Sequence, residues 1–293
     1  MIVHRPGTPR TPERVVLFGA RGFIGRAIEA RLRVDGVAAL AVPSSDIDLT
    51  TSASVARIAA LLRPTDAVVM LSALTPDKGR DVATLMKNLA MMQHLCAALE
   101  QTGCTHLVYF SSDAVYDTSV AHVTEAVPAS PQDLYGTMHR TREIMATGIK
   151  APLLVLRPTL VYGTDDTHNA YGPNRFRRMA QKDGKITLFG GGEEMRDHVH
   201  VDDVAALTVR CLLYQSAGVL NIATGMSTPF RGVAELVAQQ FKSKAEIVGT
   251  PRASAITHRH YDVTNLIKAF PDFRFISLQD GIARCHKEST GAG

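Results

Sequence analysis

Short apolar runs alternate with segments of helical periodicity along the first half of the chain. Each apolar run predicts a buried strand, and the runs fall at residues 15–18, 37–42, 67–71, 107–110 and 153–156. The segments between them carry apolar residues at helical spacing, at residues 26–32, 52–62 and 81–100. This alternation favours an α/β fold in which a doubly wound parallel sheet carries helices on both faces.

The pattern changes after residue 162. Residues 163–174 are rich in Gly, Asp, Asn and Thr and predict a loop, and a triple glycine at 190–192 interrupts the chain again. Shorter elements are predicted as a helix at 175–182, a strand at 219–223, a helix at 231–241 and a polar tail after residue 286. We therefore expect a smaller C-terminal lobe above the carboxyl edge of the sheet.

Three glycines, Gly19, Gly22 and Gly25, follow the first strand, and a helical segment follows them. The first allows a tight turn, the second lets a pyrophosphate approach bare backbone, and the third lets helix and strand pack closely. The helix N-terminus adds N–H groups and a partial positive charge. The spacing predicts a dinucleotide site, although a glycine-rich turn in another kind of α/β protein has the same pattern.

Composition bears on the partners of the protein and on the compartment in which it works. The chain has 293 residues, a net charge of +4 and 32 basic against 28 acidic residues, which does not imply a nucleic-acid partner. No apolar stretch is long enough to cross a membrane, and residues 1–14 lack the apolar core of a secretory signal. The scattered cysteines form no zinc-ligand pattern, so we expect no metal, and reduced thiols in a cytoplasmic protein.

Four further stretches fall in order behind the glycines. Residues 107–116 end a strand with two hydroxyls and a carboxylate, and Tyr135 opens a helical run that reaches Glu143. Residues 156–163 end another strand, and residues 196–205 follow the triple glycine. Together they resemble the extended short-chain dehydrogenase/reductase family, whose members are NAD(P)-dependent nucleotide-sugar epimerases, dehydratases and ketoreductases. The resemblance runs from about residue 15 to residue 282.

The resemblance implies a domain plan. Residues 15–162 correspond to a Rossmann-type NAD(P)-binding domain, to which residues 199–225 return. Residues 163–198 and 226–293 correspond to the substrate-binding lobe. Residues 1–14 are expected to form a flexible tail.

The resemblance also implies catalytic roles. Ser112 corresponds to the hydroxyl that hydrogen-bonds the reacting sugar oxygen, and Tyr135 to the acid/base that exchanges a proton with that oxygen. A carbinol loses hydride to a nicotinamide only if its proton leaves too, so a phenol must stand beside it. Asp113 is a further candidate, for which a turn-capping carboxylate is an equally good interpretation.

His139 departs from the family, which has a lysine one helical turn after the tyrosine. That lysine favours the phenolate of a group whose ordinary pKa is ~10, whereas a histidine with an ordinary pKa of ~6.5 is mostly neutral at pH 7. His139 can still bind a ribose hydroxyl. Two hypotheses follow: an enzyme with weaker or pH-shifted catalysis, or a catalytically weak regulatory protein that binds cofactor and nucleotide sugar.

The residue after Asp113 narrows the reaction. The family's 4,6-dehydratases have a glutamate there that takes part in the elimination of water, and this chain has Ala114. Dehydration is therefore disfavoured. The remaining reactions are epimerisation of a nucleotide sugar and reduction of a keto sugar by a 4-ketoreductase.

The implied cofactor is NADP or NAD. No carboxylate ends the second predicted strand to bind a ribose 2′-hydroxyl, whereas Arg21 or Ser44 can reach a 2′-phosphate, which slightly favours NADP. A solvated Arg21 is the alternative. The expected cofactor contacts lie in the glycine turn, after the second and third strands and on two helices: Gly19, Arg21, Gly22, Phe23, Ile24, Gly25, Ser44, Asp48, Leu49, Ser72, Ala73, Asn88, Tyr135 and His139.

The implied substrate is a nucleotide sugar. Arg196 corresponds to the arginine that binds the nucleotide diphosphate, because a guanidinium fork suits phosphate oxygens. The other expected substrate contacts are Thr159, Tyr162, Asn174 and Arg175.

Arg177 and Arg178, which lie next to Arg175 on the predicted helix 175–182, are expected to lie on a solvated face.

The resemblance also implies a homodimer, because family members often dimerise through helices equivalent to 81–100 and 135–146. The apolar residues of the first of these helices can equally face the sheet.

Overall fold

The computed structural model describes residues 2–243, 245–252 and 255–291. Within them the strands are β1 (Val15–Phe18), β2 (Ala39–Val42), β3 (Ala67–Met70), β4 (His106–Phe110), β5 (His122–Val123), β6 (Leu153–Pro158), β7 (Leu160–Tyr162), β8 (Lys185–Phe189), β9 (Met195–His200), β10 (Gly218–Ile222), β11 (Ser227–Pro229), β12 (Glu246–Thr250) and β13 (His260–Tyr261). The α-helices are α1 (Phe23–Val34), α2 (Ser54–Leu61), α3 (Val82–Thr102), α4 (Leu134–Ala146), α5 (Pro173–Asp183), α6 (Val201–Leu213), α7 (Phe230–Ala238), α8 (Thr264–Ala269) and α9 (Leu278–Thr290).

Six parallel strands form the central sheet in the order β10-β6-β4-β3-β1-β2. Strand β1 lies between β3 and β2, with Val15 opposite both Ala67 and Ala39. Its four apolar residues are buried on both faces because α1, α6 and α8 contribute to the core on one face, and α2, α3 and α4 to the core on the other. The predicted doubly wound α/β fold is confirmed.

The smaller lobe is built around α5, α7 and α9. Helices α5 and α7 pack on a two-stranded parallel sheet of β8 and β12, and α9 packs against α7 and β9. The core of this lobe contains Phe176, Leu188, Phe230 and Ile282. A second small sheet, in the order β11-β9-β7, continues from the carboxyl end of β6. The chain then returns to the central sheet through α6 and β10.

Residues 2–14 and 286–291 are more ordered than the sequence pattern predicts. Residues 2–14 are not a loose tail, because Val3 and Ala217 exchange two backbone hydrogen bonds of 2.9 Å and Ile2 is buried. The expected polar tail after residue 286 is instead the last turn of α9, which buries Ile282 and Cys285 in the smaller lobe. In each segment the burial of a few apolar residues holds the neighbouring polar residues against the folded chain.

Candidate active site

The turn between β1 and α1 allows close approach to bare backbone. Gly19 has a φ of +93°, and a Cβ there would lie 2.7 Å from the backbone nitrogen of Ser72. A Cβ on Gly25 would lie 2.4 Å from the carbonyl oxygen of Gly19, so only glycine lets α1 pack against the turn. Gly22 caps α1 without a side-chain hydrogen bond, which leaves helix N–H groups for an anion. These features fit the diphosphate of a dinucleotide.

The segment after β3 lies against this turn and carries Ser72 and Ala73, both half-buried. Asn88 is 2% exposed and holds that segment, because its amide bonds the backbone nitrogen and oxygen of Leu74 at 2.8 and 3.0 Å. The structure therefore brings Ser72 and Ala73 to the glycine turn and places Asn88 behind them.

The remaining predicted cofactor residues divide into exposed and packed groups. Arg21 and Ser44 are exposed near the ends of β1 and β2. The Asp48 carboxylate accepts two hydrogen bonds from Thr50, at 2.9 Å from the backbone nitrogen and 2.7 Å from the hydroxyl, and these bonds lower its pKa. Of the apolar members, Phe23 and Leu49 are buried and Ile24 is half-buried.

Ser112 and Tyr135 come from separate elements that a glycine brings together. Ser112 follows β4 and accepts a hydrogen bond from the Ala114 nitrogen at 3.1 Å. Tyr135 lies in the first turn of α4, which Asp133 caps by accepting from the Gly136 nitrogen at 2.7 Å. A Cβ on Gly136 would lie 2.2 Å from the Ala114 carbonyl oxygen, so glycine is required for α4 to approach the strand end. A pocket between the segment after β3, α3 and α4 is lined in part by Tyr135.

The phenol of Tyr135 is held in its protonated form. Burial raises its pKa to about 12, and the nearby Asp113 carboxylate acts in the same direction. The Ser112 hydroxyl and the Arg142 guanidinium oppose this rise. At neutral pH the group is therefore a proton donor.

His139 is buried and neutral. Its Nδ1 shares a hydrogen bond of 2.7 Å with the Tyr109 hydroxyl, and its ring stands edge-on to the Tyr135 ring with the centroids 4.7 Å apart. Burial, followed by the charge of Arg142, lowers its pKa well below the ordinary value. His139 therefore supplies no positive charge to Tyr135 at neutral pH. Its buried Nε2 has no hydrogen-bond partner in the described part of the chain, as expected of a group that contacts a cofactor hydroxyl.

A buried ion pair anchors α4 to the sheet beneath Tyr135. Arg157 binds both carboxylate oxygens of Glu143, at 2.8 and 2.7 Å, and Ser111 donates to the same carboxylate at 2.6 Å. Arg157 also donates to the Tyr116 hydroxyl at 2.9 Å. The network joins α4 to β6 and to the strand end that carries Ser112, so it positions both predicted catalytic hydroxyls.

Two residues that the sequence analysis did not identify hold Asp113. The Tyr261 hydroxyl donates to the Asp113 carboxylate at 2.7 Å, and an Arg259 nitrogen lies 3.8 Å from it. Both follow Asp113 by about half the chain, with a sequence separation of 148 residues for Tyr261. No motif of the sequence pointed to either residue, because only the fold brings them beside Asp113.

Arg196 lies beside Arg259. Burial, and then the charge of Arg259, lowers the pKa of Arg196, and its guanidinium donates to the Thr257 carbonyl at 2.6 Å and hydroxyl at 2.8 Å. Thr159 is buried nearby and donates to the Asp197 carbonyl at 3.2 Å. The half-buried Arg196 and the buried Arg259 thus place two positive charges close to Asp113, and Arg259 also donates to the Asp113 and Asp117 carbonyls at 3.2 and 2.7 Å.

Tyr162 and Asn174, both predicted substrate contacts, are instead committed to the interior. Tyr162 is 1% exposed and packs edge-on against His200 in the core of the smaller lobe. The Asn174 amide donates to Asp166 at 2.9 Å and accepts from the Gly163 nitrogen at 3.3 Å. Tyr162 is buried because β7 ends inside the lobe, and Asn174 because it lies in the first turn of α5 facing Asp166.

The arginines of α5 do not form one solvated face. Arg175 is half-buried, with its guanidinium 5.8 Å from the centroid of the Tyr171 ring. Arg177 is 7% exposed, and the prediction that it is solvated is wrong. Its alkyl stem packs into the lobe while its charge reaches the Thr164 carbonyl at 3.3 Å.

The described residues contain no cluster of three or more His, Cys, Asp or Glu side chains that would hold a metal ion. His198 and His200 are buried in β9, where they pack against Phe230 and Tyr162 respectively. Among the helices of the described ranges, none combines the length and hydropathy that crossing a membrane requires.

Comparison with known proteins supports this architecture. The family model described as "NAD dependent epimerase/dehydratase family" matches residues 15–223. GDP-L-fucose synthase of Escherichia coli K12 is 25% identical, with 94% of this chain and 96% of that protein aligned. A GDP-L-fucose synthetase from Naegleria fowleri has a similar structure, with a TM-score of 0.85, 18% identity and coverage of 96% and 95% of the two chains.

RMD from Pseudomonas aeruginosa, solved with NADPH, has a TM-score of 0.84 at 22% identity, with 96% of this chain and 100% of that chain covered. These structural likenesses confirm the Rossmann-type fold. The family model covers more than half of the chain and includes the glycine turn, Ser112, Tyr135 and Arg196. The chain belongs to the NAD-dependent epimerase/dehydratase family.

Proposed function

We propose that this protein is an NADP-dependent reductase of a keto group on a nucleotide sugar, with Tyr135 as the general acid. The observation that carries the proposal is the protonated phenol of Tyr135 beside Ser112, at the same sheet edge as the glycine turn. Reduction of a carbonyl requires a proton donor at the oxygen, and a phenol with a pKa of about 12 is fully protonated at neutral pH.

The proposed reaction needs two groups of this chain at one oxygen atom. NADPH, when bound, supplies the hydride that the carbonyl carbon accepts. The Ser112 hydroxyl donates a hydrogen bond to the carbonyl oxygen, and Tyr135 transfers its proton to that oxygen to give the alcohol. His139 offers its buried Nε2 to a cofactor hydroxyl, and the Glu143–Arg157 pair keeps α4 in place.

Arg196 and Arg259 support a substrate with a diphosphate. The half-buried Arg196, with the positive charge of Arg259 close to it, suits the diphosphate of a nucleotide sugar, and Tyr261 and Arg259 fix Asp113 close to both Arg196 and Tyr135. Ala114 supplies no carboxyl group for the elimination of water, so a 4,6-dehydratase reaction remains disfavoured. The relative GDP-L-fucose synthase also favours a nucleotide-sugar substrate.

A preference for NADP is part of the proposal. Arg21 is exposed in the glycine turn, and β2 ends in Val42 followed by Pro43 and Ser44, without a carboxylate to select a 2′-hydroxyl. RMD binds NADPH, while a UDP-glucose 4-epimerase from Thermus thermophilus with the same fold binds NAD. Titration with both cofactors should give tighter binding of NADPH, and Arg21→Ala should weaken NADPH more than NADH.

The test is turnover of a panel of 4-keto nucleotide sugars, followed by nicotinamide absorbance. We expect oxidation of NADPH, and a loss of about 10²–10⁴-fold in kcat for Tyr135→Phe with little change in the Kd of NADPH. Formation of an epimer without net consumption of NADPH would instead make the protein an epimerase. Tight cofactor binding with no turnover across the panel would support the catalytically weak binding protein.

We also propose that two copies of the chain form a homodimer through α3 and α4. Val82 and Met86 on α3 and Ile144 on α4 are 64%, 56% and 54% exposed, whereas Met92 and Leu95 on α3 are buried against the sheet. Sedimentation of the wild type and of Met86→Glu would test it, because a charge in a buried interface should shift the protein to a monomer.

A further inference from the structure

Arg142 is a fully buried cation with no carboxylate partner among the described residues. Its side chain is 0% exposed. The next residue, Glu143, is an acid but forms no ion pair with it. One terminal nitrogen donates to the Ser72 carbonyl at 2.9 Å, and the other lies 3.7 Å from the Met138 sulfur. Its Nε is buried without a hydrogen-bond partner in the same set of residues. Burial of an unpaired charge is costly, so this arrangement needs a reason.

The packing around the guanidinium explains how it is held but does not neutralise it. Its central carbon lies 5.2 Å from the centroid of the Tyr109 ring, a favourable cation–π contact. Glu143, the nearest acid in sequence, is already bound by Arg157 and Arg140. The full positive charge of Arg142 therefore acts on its other neighbours.

Helix geometry directs that charge toward Tyr135. Side chains of an α-helix point back toward the N-terminus, so a long residue reaches the level of the preceding turn. The contact with Met138 places the Arg142 guanidinium one turn nearer to Tyr135 than its own Cα. His139, at the same level, is neutral and stands edge-on to the Tyr135 ring.

The charged groups that face Tyr135 come from three directions. Asp113, beyond the end of β4, and Asp133, at the start of α4, both disfavour its phenolate. Arg142 and the Ser112 hydroxyl favour it. Arg142 is thus the cation that the described residues supply to this phenol.

We propose that Arg142 is a positioning residue for the reaction, whose buried charge stabilises the negative charge that Tyr135 acquires when it transfers its proton. The inference rests on the proposed role of Tyr135 as general acid. His139 is neutral in this proposal. One of its ring nitrogens shares a hydrogen bond with Tyr109 and the other is available to the cofactor, so Arg142, in the next turn of the helix, supplies the positive charge. A purely structural role, in which Arg142 only secures the Ser72 segment, is the competing explanation.

Two substitutions separate charge from structure. Arg142→Gln keeps an N–H donor for the Ser72 carbonyl and removes the charge, whereas Arg142→Lys keeps the charge and loses the planar guanidinium. Arg140→Gln is the matched control, because Arg140 lies on the same helix but is directed outward, with 42% of its side chain exposed. Arg142→Met replaces the glutamine variant if that variant does not fold, since removal of an unpaired buried charge is tolerated.

The direct measurement is the pKa of a ring-fluorinated tyrosine incorporated at position 135 in the cofactor-free protein. Fluorination makes the phenol several units more acidic, so its titration by absorbance falls where the protein is folded. A unit charge within ~10 Å at an effective dielectric constant of ~20 changes a pKa by about one unit. We expect Arg142→Gln to raise the pKa by about one unit, and Arg142→Lys and Arg140→Gln to change it by much less.

A compensating substitution and the kinetics complete the test. His139→Lys added to Arg142→Gln restores a cation near Tyr135 and should bring the pKa back down. In turnover assays Arg142→Gln should lower kcat by about tenfold while the Kd of NADPH changes less than about twofold. An unchanged pKa in Arg142→Gln, or an equal rise in Arg142→Lys, would overturn the inference.

Failure of the inference is distinguishable from failure of the proposed function. The titration uses neither cofactor nor substrate and reports only the effect of Arg142 on position 135. If Tyr135→Phe retains full turnover, the proposed acid is wrong whatever the titration shows. If Tyr135→Phe is inactive and Arg142→Gln leaves the pKa unchanged, the proposed function stands and the role of Arg142 is structural.

Discussion

Loss of Arg157 should destabilise the protein strongly, because it leaves Glu143 charged in the interior. Both residues are buried, at 4% and 3% exposure, and Arg157 supplies two of the four hydrogen bonds that the Glu143 carboxylate accepts. Removing one partner of a buried pair costs about 3–5 kcal/mol. Ser111 and Arg140 still bind Glu143, which favours the lower end, and the lost bond to Tyr116 adds about 1 kcal/mol.

For Arg157→Met we therefore expect a loss of about 4 kcal/mol, or a fall in Tm of about 10 °C for a chain of this size. Urea and thermal unfolding measure it directly. The double variant Glu143→Met/Arg157→Met should cost less than either single variant, because the unpaired charge is removed with its partner. A loss below about 1 kcal/mol for Arg157→Met, or a double variant whose cost equals the two single costs combined, would refute this reasoning.

Three other perturbations have defined outcomes. Gly25→Ala should weaken NADPH binding at least about tenfold by fluorescence titration, because the new Cβ would lie 2.4 Å from the Gly19 carbonyl oxygen. Asp133→Ala should cost about 1 kcal/mol in urea unfolding through loss of the α4 cap, and Asp133→Ser should restore most of it. Burial raises the pKa of Asp203 to about 6, so its native state retains a proton that the unfolded chain has already lost, and it destabilises the fold progressively as pH rises from about 4 to 6. The stability of Asp203→Asn relative to wild type should therefore rise across that window, by up to about 3 kcal/mol.

Each of these predictions has a clear contrary result. Gly7→Ala is the control for the glycine turn, since a Cβ there meets nothing within 4 Å, and equal effects of the two substitutions would contradict the steric explanation. Equal losses for Asp133→Ala and Asp133→Ser would mean that the cap is not the cause. A difference between Asp203→Asn and wild type that is flat from pH 4 to pH 7 would show that Asp203 ionises normally in the folded protein.

The central sheet was predictable because its strands are continuous apolar runs. The run at residues 15–18 is buried on both faces, and such a run has few alternatives to a parallel strand between helices. The glycine turn was predictable because its spacing reflects a steric need at Gly19 and Gly25 that no other residue meets. Local pattern therefore determined these elements.

Arg142, Tyr261 and Arg259 were not predictable, because their surroundings are set by residues distant in sequence. An arginine in the middle of an amphipathic helix is normally solvated, and only the segment after β3 and the ring of Tyr109 turn Arg142 inward. Tyr162 and Asn174 were assigned to the cleft from their place in a motif, but Gly281 and Asp166 draw them into the lobe. Helical or strand periodicity carries no information about such partners.

The return of β10 to the central sheet governs how the chain can fold. Strand β10 pairs with β6 but follows it in the chain only after β7 to α6. The His4 ring likewise bonds the Ala269 carbonyl, 265 positions away in sequence. Contacts between such distant segments form slowly, because the loop between them must close first. A fragment that ends at residue 162 would leave β6 as an unpaired edge open to pairing with other chains. The cofactor half therefore depends on β10 to cover its edge, and a growing chain exposes that edge until residues 218–222 have been synthesised.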